Sequence, residues 1–292
     1  MTDLSCYTAN LVEYLSRDDP GVRWRLAEAI RFRVRTDEPG GALAFSHHAR
    51  VDRDLGYRSA ESWVDTRAML AAEGRALVVT DTAHVPWSPY PAGVHGPHWI
   101  LLLGRDGGRW HVVDRFSALT MYGRQRPHEG WLTDEQLRAA MTPMPSAPAA
   151  VVNRDAHALG QPVELPPATH YRWLVRVPAV PRPEEDWTAE GVPTLRRIAE
   201  RFLASERALA EHADDLWAAG VHQRFRLGRL VERGLVGEEQ ARPLAQAWAK
   251  LPRSLRFAVE SARRGRPRPD LVATAFDRLV VATEDMTALS RT

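Results

Sequence analysis

His98-Trp99-Ile100-Leu101-Leu102-Leu103-Gly104 and Trp110-His111-Val112-Val113-Asp114 decide how this chain reads. Both are short apolar runs of strand length. Gly104-Arg105-Asp106-Gly107-Gly108 between them is turn material. The spacing predicts a hairpin of strands over 98–103 and 110–114. A turn that pairs Leu103 with Arg109 places His98 directly opposite Asp114, with Cβ atoms ~5 Å apart. A carboxylate there accepts the imidazole N–H and fixes the ring's tautomer. The juxtaposition depends on register, because a one-residue slip sends the two side chains to opposite faces.

Upstream, residues 5–16 read as a helix with Ser5 as N-cap and Leu11, Tyr14 and Leu15 on one side. Cys6 stands at its start, where the helix dipole and unpaired amides favour the thiolate, the reactive form of cysteine. Further helices are expected over Val22–Val34 and 59–72, the second stopping before Gly74, and a buried strand over 76–80. Downstream, Thr133 and Gln136 form a capping box that opens a helix within 130–141. His170 to Val177 reads as a late strand. Many prolines mark 143–193 as irregular, with a linker near 179–193. From Thr194 the pattern is helical, with Leu195, Ile198, Phe202, Leu209 and Leu216 in one stripe. Helices then follow over Val221–Val231, Glu238–Leu251, Ser254–Ala262 and Asp270–Leu289. The expected fold class is α+β over 1–180, followed by an all-α region over 190–292.

With 292 residues and 44% hydrophobic content, the chain can bury a sizeable core and does not read as disordered. The longest apolar run, Trp99 to Leu103, is far too short to span a bilayer. No basic segment followed by an apolar core opens the chain, so a cytoplasmic protein with no membrane partner is expected. Cys6 is the only cysteine, which excludes intramolecular disulfides and a cysteine-based zinc site. Lys250 is the only lysine among 39 Lys and Arg, a bias that coding composition explains without a nucleic-acid partner. The basic run Arg263 to Arg268 reads as a solvated loop between helices. His47-His48 with Asp52, four residues after His48, could ligate a metal, but no complete ligand set is evident and no metal is expected.

A nucleophile on an early helix with His and Asp on later strands is the chain order of papain-like enzymes. The segment Ser5 to Leu15 resembles their catalytic helix. Ala71 to Asp81 resembles the helix-Gly-strand step of bacterial papain-like peptidases, and the hairpin resembles their His and Asp strands. The layout is similar to the double-glycine leader peptidases, and more closely to the butirosin biosynthesis protein H-like family. That second resemblance includes Asp81 to Tyr90, the pair His95 and His98, and a helical C-terminal region.

The resemblance implies a papain-like catalytic domain with Cys6 as nucleophile, His98 as base and Asp114 as its orienter. His95 is the runner-up for the base. It implies transfer of an acyl or aminoacyl group from an acyl or peptidyl carrier protein to an amine or alcohol on a small molecule, in natural-product assembly. No cofactor is implied beyond a phosphopantetheine thioester on the donor. His84, Trp87 and His95 are expected to line the substrate cleft, and rim arginines to meet an acidic carrier. The same residues would also serve a thioesterase, peptidase or amidase, and a non-catalytic binding protein could keep the fold. Papain-like enzymes place a Gln before the Cys as oxyanion donor. None of Met1 to Ser5 is Gln. A thioester, with its good leaving group, needs less such help than an amide.

Overall fold

The computed structural model describes residues 4–36, 38, 41–46, 55–120, 122–144, 146–159, 162–178, 187 and 189–289. His47, His48 and Asp52 lie outside them, as does most of the expected linker. The architecture is mixed α+β with a helical C-terminal region.

Its centre is a six-stranded antiparallel sheet. In chain order the strands are β3 (Leu55–Ala60), β4 (Ala76–Asp81), β5 (Pro97–Asp106), β6 (Arg109–Asp114), β9 (His128–Thr133) and β10 (Tyr171–Arg176). In space the order is β3-β10-β4-β5-β6-β9. Both faces are covered. On one lies α1 (Cys6–Ser16), whose Leu11, Val12 and Leu15 pack with Leu77, Val79, Trp99, Leu101 and Val113. On the other, α3 (Trp63–Glu73) and α4 (Asp134–Ala140) bring Leu70 and Leu137 against Val78, Ile100, Leu102 and Val112. This explains why β4 and β5 read as unbroken apolar runs: alternate side chains enter different cores, and neither face meets water.

The β5–β6 hairpin corrects the expected register. The turn holds two residues, Gly107 and Gly108, both at positive φ (52° and 81°), and β5 runs on to Asp106. Near the turn, Arg105 opposes Trp110 and Gly104 opposes His111. That pairing alone would put His98 and Asp114 on opposite faces. A bulge between Leu102 and Gly104 absorbs one residue, so that Leu102 opposes Val112 and Leu101 opposes Val113. Even-numbered residues of both strands then share a face beyond the bulge, His98 and Asp114 among them. Gly104 takes φ 139° at this irregularity, a conformation that side chains strongly disfavour.

The second expected helix ends early. α2 covers Val22–Ala29, and Arg33–Arg35 forms β1, paired with β2 (Ala44–Ser46) and β11 (Ala189–Glu190). The run Arg31 to Arg35 alternates, with Phe32 and Val34 buried, which is strand rather than helix periodicity. Phe32, Val34, Leu43 and Phe45 enter the core of the C-terminal helices α6 (Val192–Ala204), α7 (Glu206–Glu232), α8 (Glu238–Arg263) and α9 (Pro269–Leu289). That core therefore draws on a distant part of the chain. A further helix, α5 (Ala149–Ala156), lies in the proline-rich stretch read as irregular.

α8 continues through Pro252, where a break was expected. Proline cannot donate to the Trp248 carbonyl one turn back. α7 approaches that carbonyl at Gly220, where a Cβ would stand 3.0 Å from the Trp248 oxygen. A buried ionic network also anchors α7. Arg154 Nε of α5 donates to Asp215 Oδ1 (2.7 Å), His212 Nδ1 meets Asp215 Oδ2 (2.9 Å), and the Leu43 amide donates to His212 Nε2 (3.0 Å).

Gly104→Val should destabilise the protein by about 1–3 kcal/mol through backbone strain at the bulge. Urea unfolding checks this, with a lower midpoint and an unchanged slope as the expected outcome.

Candidate active site

Cys6 is the first residue of α1. Ser5 caps the helix, its Oγ accepting from the Thr8 amide at 3.3 Å. The thiol is free and half-buried. His98 is the second residue of β5 and Asp114 the last of β6, so both lie where these strands meet the start of α1. His98 Nε2 donates to Asp114 Oδ2 at 2.7 Å, with the two side chains 7% and 0% exposed. Cys6 lies close enough to His98 to help hold the ring in its charged form. Nε2 is engaged by Asp114, which leaves Nδ1 for the sulfur. The structure thus brings Cys6, His98 and Asp114 together, although not through the pairing expected from the sequence.

Four further donors hold the Asp114 carboxylate. Trp87 Nε1 (2.8 Å) and Gln125 Nε2 (3.3 Å) reach Oδ2, while the Phe116 amide (2.9 Å) and Asn10 Nδ2 (3.2 Å) reach Oδ1. Asn10, to which the sequence assigned no role, belongs to the site. It is fully buried and also donates to the Trp99 (2.7 Å) and Cys6 (3.0 Å) carbonyls, while its Oδ1 accepts from the Arg115 amide (2.8 Å). One side chain therefore ties α1 to both strands of the hairpin. The signal was present: Asn10 lies one helical turn after Cys6, in a chain with only two asparagines. Gln125, on the short strand β8 (Gly123–Gln125) paired with β7 (Ala118–Thr120), gave no sequence signal.

Burial opposes the charged form of His98. The Asp114 charge and hydrogen bond outweigh it, Cys6 adds to them, and the imidazole pKa is pushed up to about 10. Burial likewise opposes charge on Asp114, but His98, Trp87 and the Phe116 amide hold its carboxyl below the usual carboxylate range. The pair is therefore ionic near neutrality.

The three residues expected to line a substrate cleft divide. Trp87 commits its indole N–H to Asp114 and stacks on His128, with ring centres 4.0 Å apart. His95 pairs with Asp81 (2.6 Å), and the His84 ring lies 6.0 Å from it. A groove of about 720 Å³ lies in the helical region between Trp217, Trp248 and several arginines, including Arg224, Arg253 and Arg256. The basic run read as a plain solvated loop contributes Arg264, Arg266 and Arg268 to its lining. Phe116 connects the two places, packing on His98 (5.6 Å) and edge-on against Trp217 (5.9 Å). Half-buried Tyr90 is within electrostatic reach of both Cys6 and Arg256.

Compared with protein-family models and with curated proteins, the chain matches none.

A group whose pKa is higher folded than unfolded stabilises the fold below the unfolded value, and that contribution fades as pH rises through the folded value. For His98 the window runs from about 6.5 to about 10. NMR titration should find the ring still protonated at mildly alkaline pH, and Asp114→Asn should remove this protonation. Asn10→Ala should cost on the order of 3 kcal/mol, because it strips partners from buried groups. Chemical unfolding measures that loss.

Proposed function

We propose that this chain is a cysteine acyltransferase with a papain-like catalytic region. It accepts an acyl or aminoacyl group from a carrier-bound thioester and passes it to an amine or alcohol. The observation that carries this reading is the buried His98–Asp114 pair, with Cys6 close to its imidazole at the start of a helix.

In this mechanism His98 holds the Cys6 proton, leaving a thiolate. The sulfur attacks the thioester carbonyl carbon, and the first α1 amide is placed to stabilise the oxyanion. The bond to the donor sulfur breaks. The departing thiolate takes the proton from His98 and leaves as a thiol, and Cys6 carries the acyl group. Neutral His98 then removes a proton from the acceptor as it attacks, and the Cys6 thiolate departs. Asp114 keeps the ring oriented throughout, and Asn10, Trp87 and Gln125 keep Asp114 in place.

One observation favours a carrier-bound donor and another favours transfer. The arginine-lined groove beside Trp217 suits the phosphodiester of a phosphopantetheine arm and an acidic carrier surface. The helical region also closes on the nucleophile's helix, since His222 Nε2 of α7 meets Ser5 Oγ at 3.2 Å. Such covering limits water access and favours transfer over hydrolysis.

Intact-mass spectrometry after incubation with acyl and aminoacyl thioesters of phosphopantetheine, free and on a carrier protein, tests the reading. A single acyl adduct is expected, absent in Cys6→Ala and formed about 10²-fold more slowly or worse in His98→Ala. Neither adduct nor turnover on any of these thioesters would refute it. Added amines then separate transfer from hydrolysis.

A further inference from the structure

The His95–Asp81 pair stands outside the mechanism, although His95 lies only three residues before His98. Asp81 is the last residue of β4, opposite Pro97 of β5, and its side chain is 4% exposed. Its Oδ1 accepts from the Ala83 (3.1 Å) and Gly96 (3.3 Å) amides, which fixes the carboxylate and turns Oδ2 toward His95 Nδ1. His84 closes a short 3-10 turn over Thr82–His84. One potential ligand atom from each of Asp81, His84 and His95 lies within 4.8 Å of the others. Among the described residues this is the one such group.

The segment that carries the three residues is tied at its base. The Thr82 amide donates to the Gly96 carbonyl (2.9 Å), and Thr82 Oγ1 donates to the Val94 carbonyl (3.1 Å). Both ends of the 82–96 loop are thus held together, and the two exposed histidines project from a braced base. Neutral imidazoles and a carboxylate are a common ligand set for zinc, which binds them at roughly 2.0–2.2 Å with ligand atoms about 3.3 Å apart. Rotation of the exposed His84 and His95 rings covers the remaining distance while buried Asp81 stays still.

We propose that Asp81, His84 and His95 form a divalent-cation site of two imidazoles and one carboxylate, suited to zinc, with a fourth position open to solvent. The ion replaces the proton that His95 shares with Asp81 and clamps the loop that delivers His98. It is separate from Cys6 and does not depend on the acyl-transfer reading.

Calorimetric titration of the chelator-stripped protein with zinc chloride tests the site. Wild type should bind one zinc per chain, and Cys6→Ala should retain it. His84→Ala and His95→Ala should each weaken binding by about tenfold or more. Both histidines are exposed, so these variants should fold, and circular dichroism verifies that they do. No binding by wild type, binding indifferent to both histidine variants, or binding lost in Cys6→Ala would each overturn the proposal.

Discussion

The structure around the candidate site depends on one buried carboxylate. Asp114 is fully enclosed, and an uncompensated charge there would cost several kcal/mol. Its compensation comes from separate parts of the chain: Asn10 of α1, Trp87 of the 82–96 loop, His98 of β5, the Phe116 amide and Gln125 of β8. No one element supplies more than a single side chain. The carboxylate is stable only when helix, hairpin and loop have all docked, so assembling the fold and assembling the site are one event. This also explains why polar residues such as Asn10 and Gln125 lie in otherwise apolar surroundings: each satisfies the same charge.

How much of this was legible in the sequence follows from which interactions are local. The start of α1 was readable because Ser5 caps it from one residue away. The capping box of α4 was readable because Thr133 and Gln136 satisfy each other. The strands of the hairpin were readable as apolar runs, but their register was not. Two glycines at positive φ allow a two-residue turn, and only the bulge before Gly104 returns His98 and Asp114 to a common face. The expected same-face outcome therefore holds for a different reason from the one supposed. The Asp114 donors come from positions up to 104 residues away, and only His98 among their side chains was assigned to it from the sequence. The uninterrupted α8 was hidden for a similar reason. What accommodates the carbonyl that Pro252 leaves open is the approach of Gly220, on another helix.

The helical region is more than an appendage in this arrangement. Its core takes side chains from β1 and β2, its Asp215 is held by Arg154 and His212, and its His222 meets the Ser5 cap of α1. Burial opposes charge on Asp215, yet the Arg154 charge and the His212 hydrogen bond hold its pKa down to about 2. A buried ionic network of this kind is a weak source of net stability but a strong constraint on geometry, since removing one member strands the others. It fixes α7 relative to α5 and the segment entering β2, and α7 carries Trp217 and Arg224 of the groove. The position of the arginine-lined groove relative to α5 and β2 is in this way set by groups outside its lining.

Two histidines, each paired with an aspartate from a different strand, stand three residues apart on one segment, and their surroundings differ. His98 and Asp114 are both enclosed, so each ring charge is felt at low dielectric, and the pair holds a proton close to Cys6. In the other pair only the carboxylate is enclosed. The His95 side chain is 54% exposed, so solvent screens its interaction with Asp81 and water or a cation can reach the ring. A second imidazole, His84, stands beside that open pair, whereas the closed pair has the Phe116 ring against it. Enclosure with a thiol favours proton transfer; exposure with a second imidazole favours ligation. The same two residue types therefore meet different surroundings because the chain passes from solvent into the core between His95 and His98.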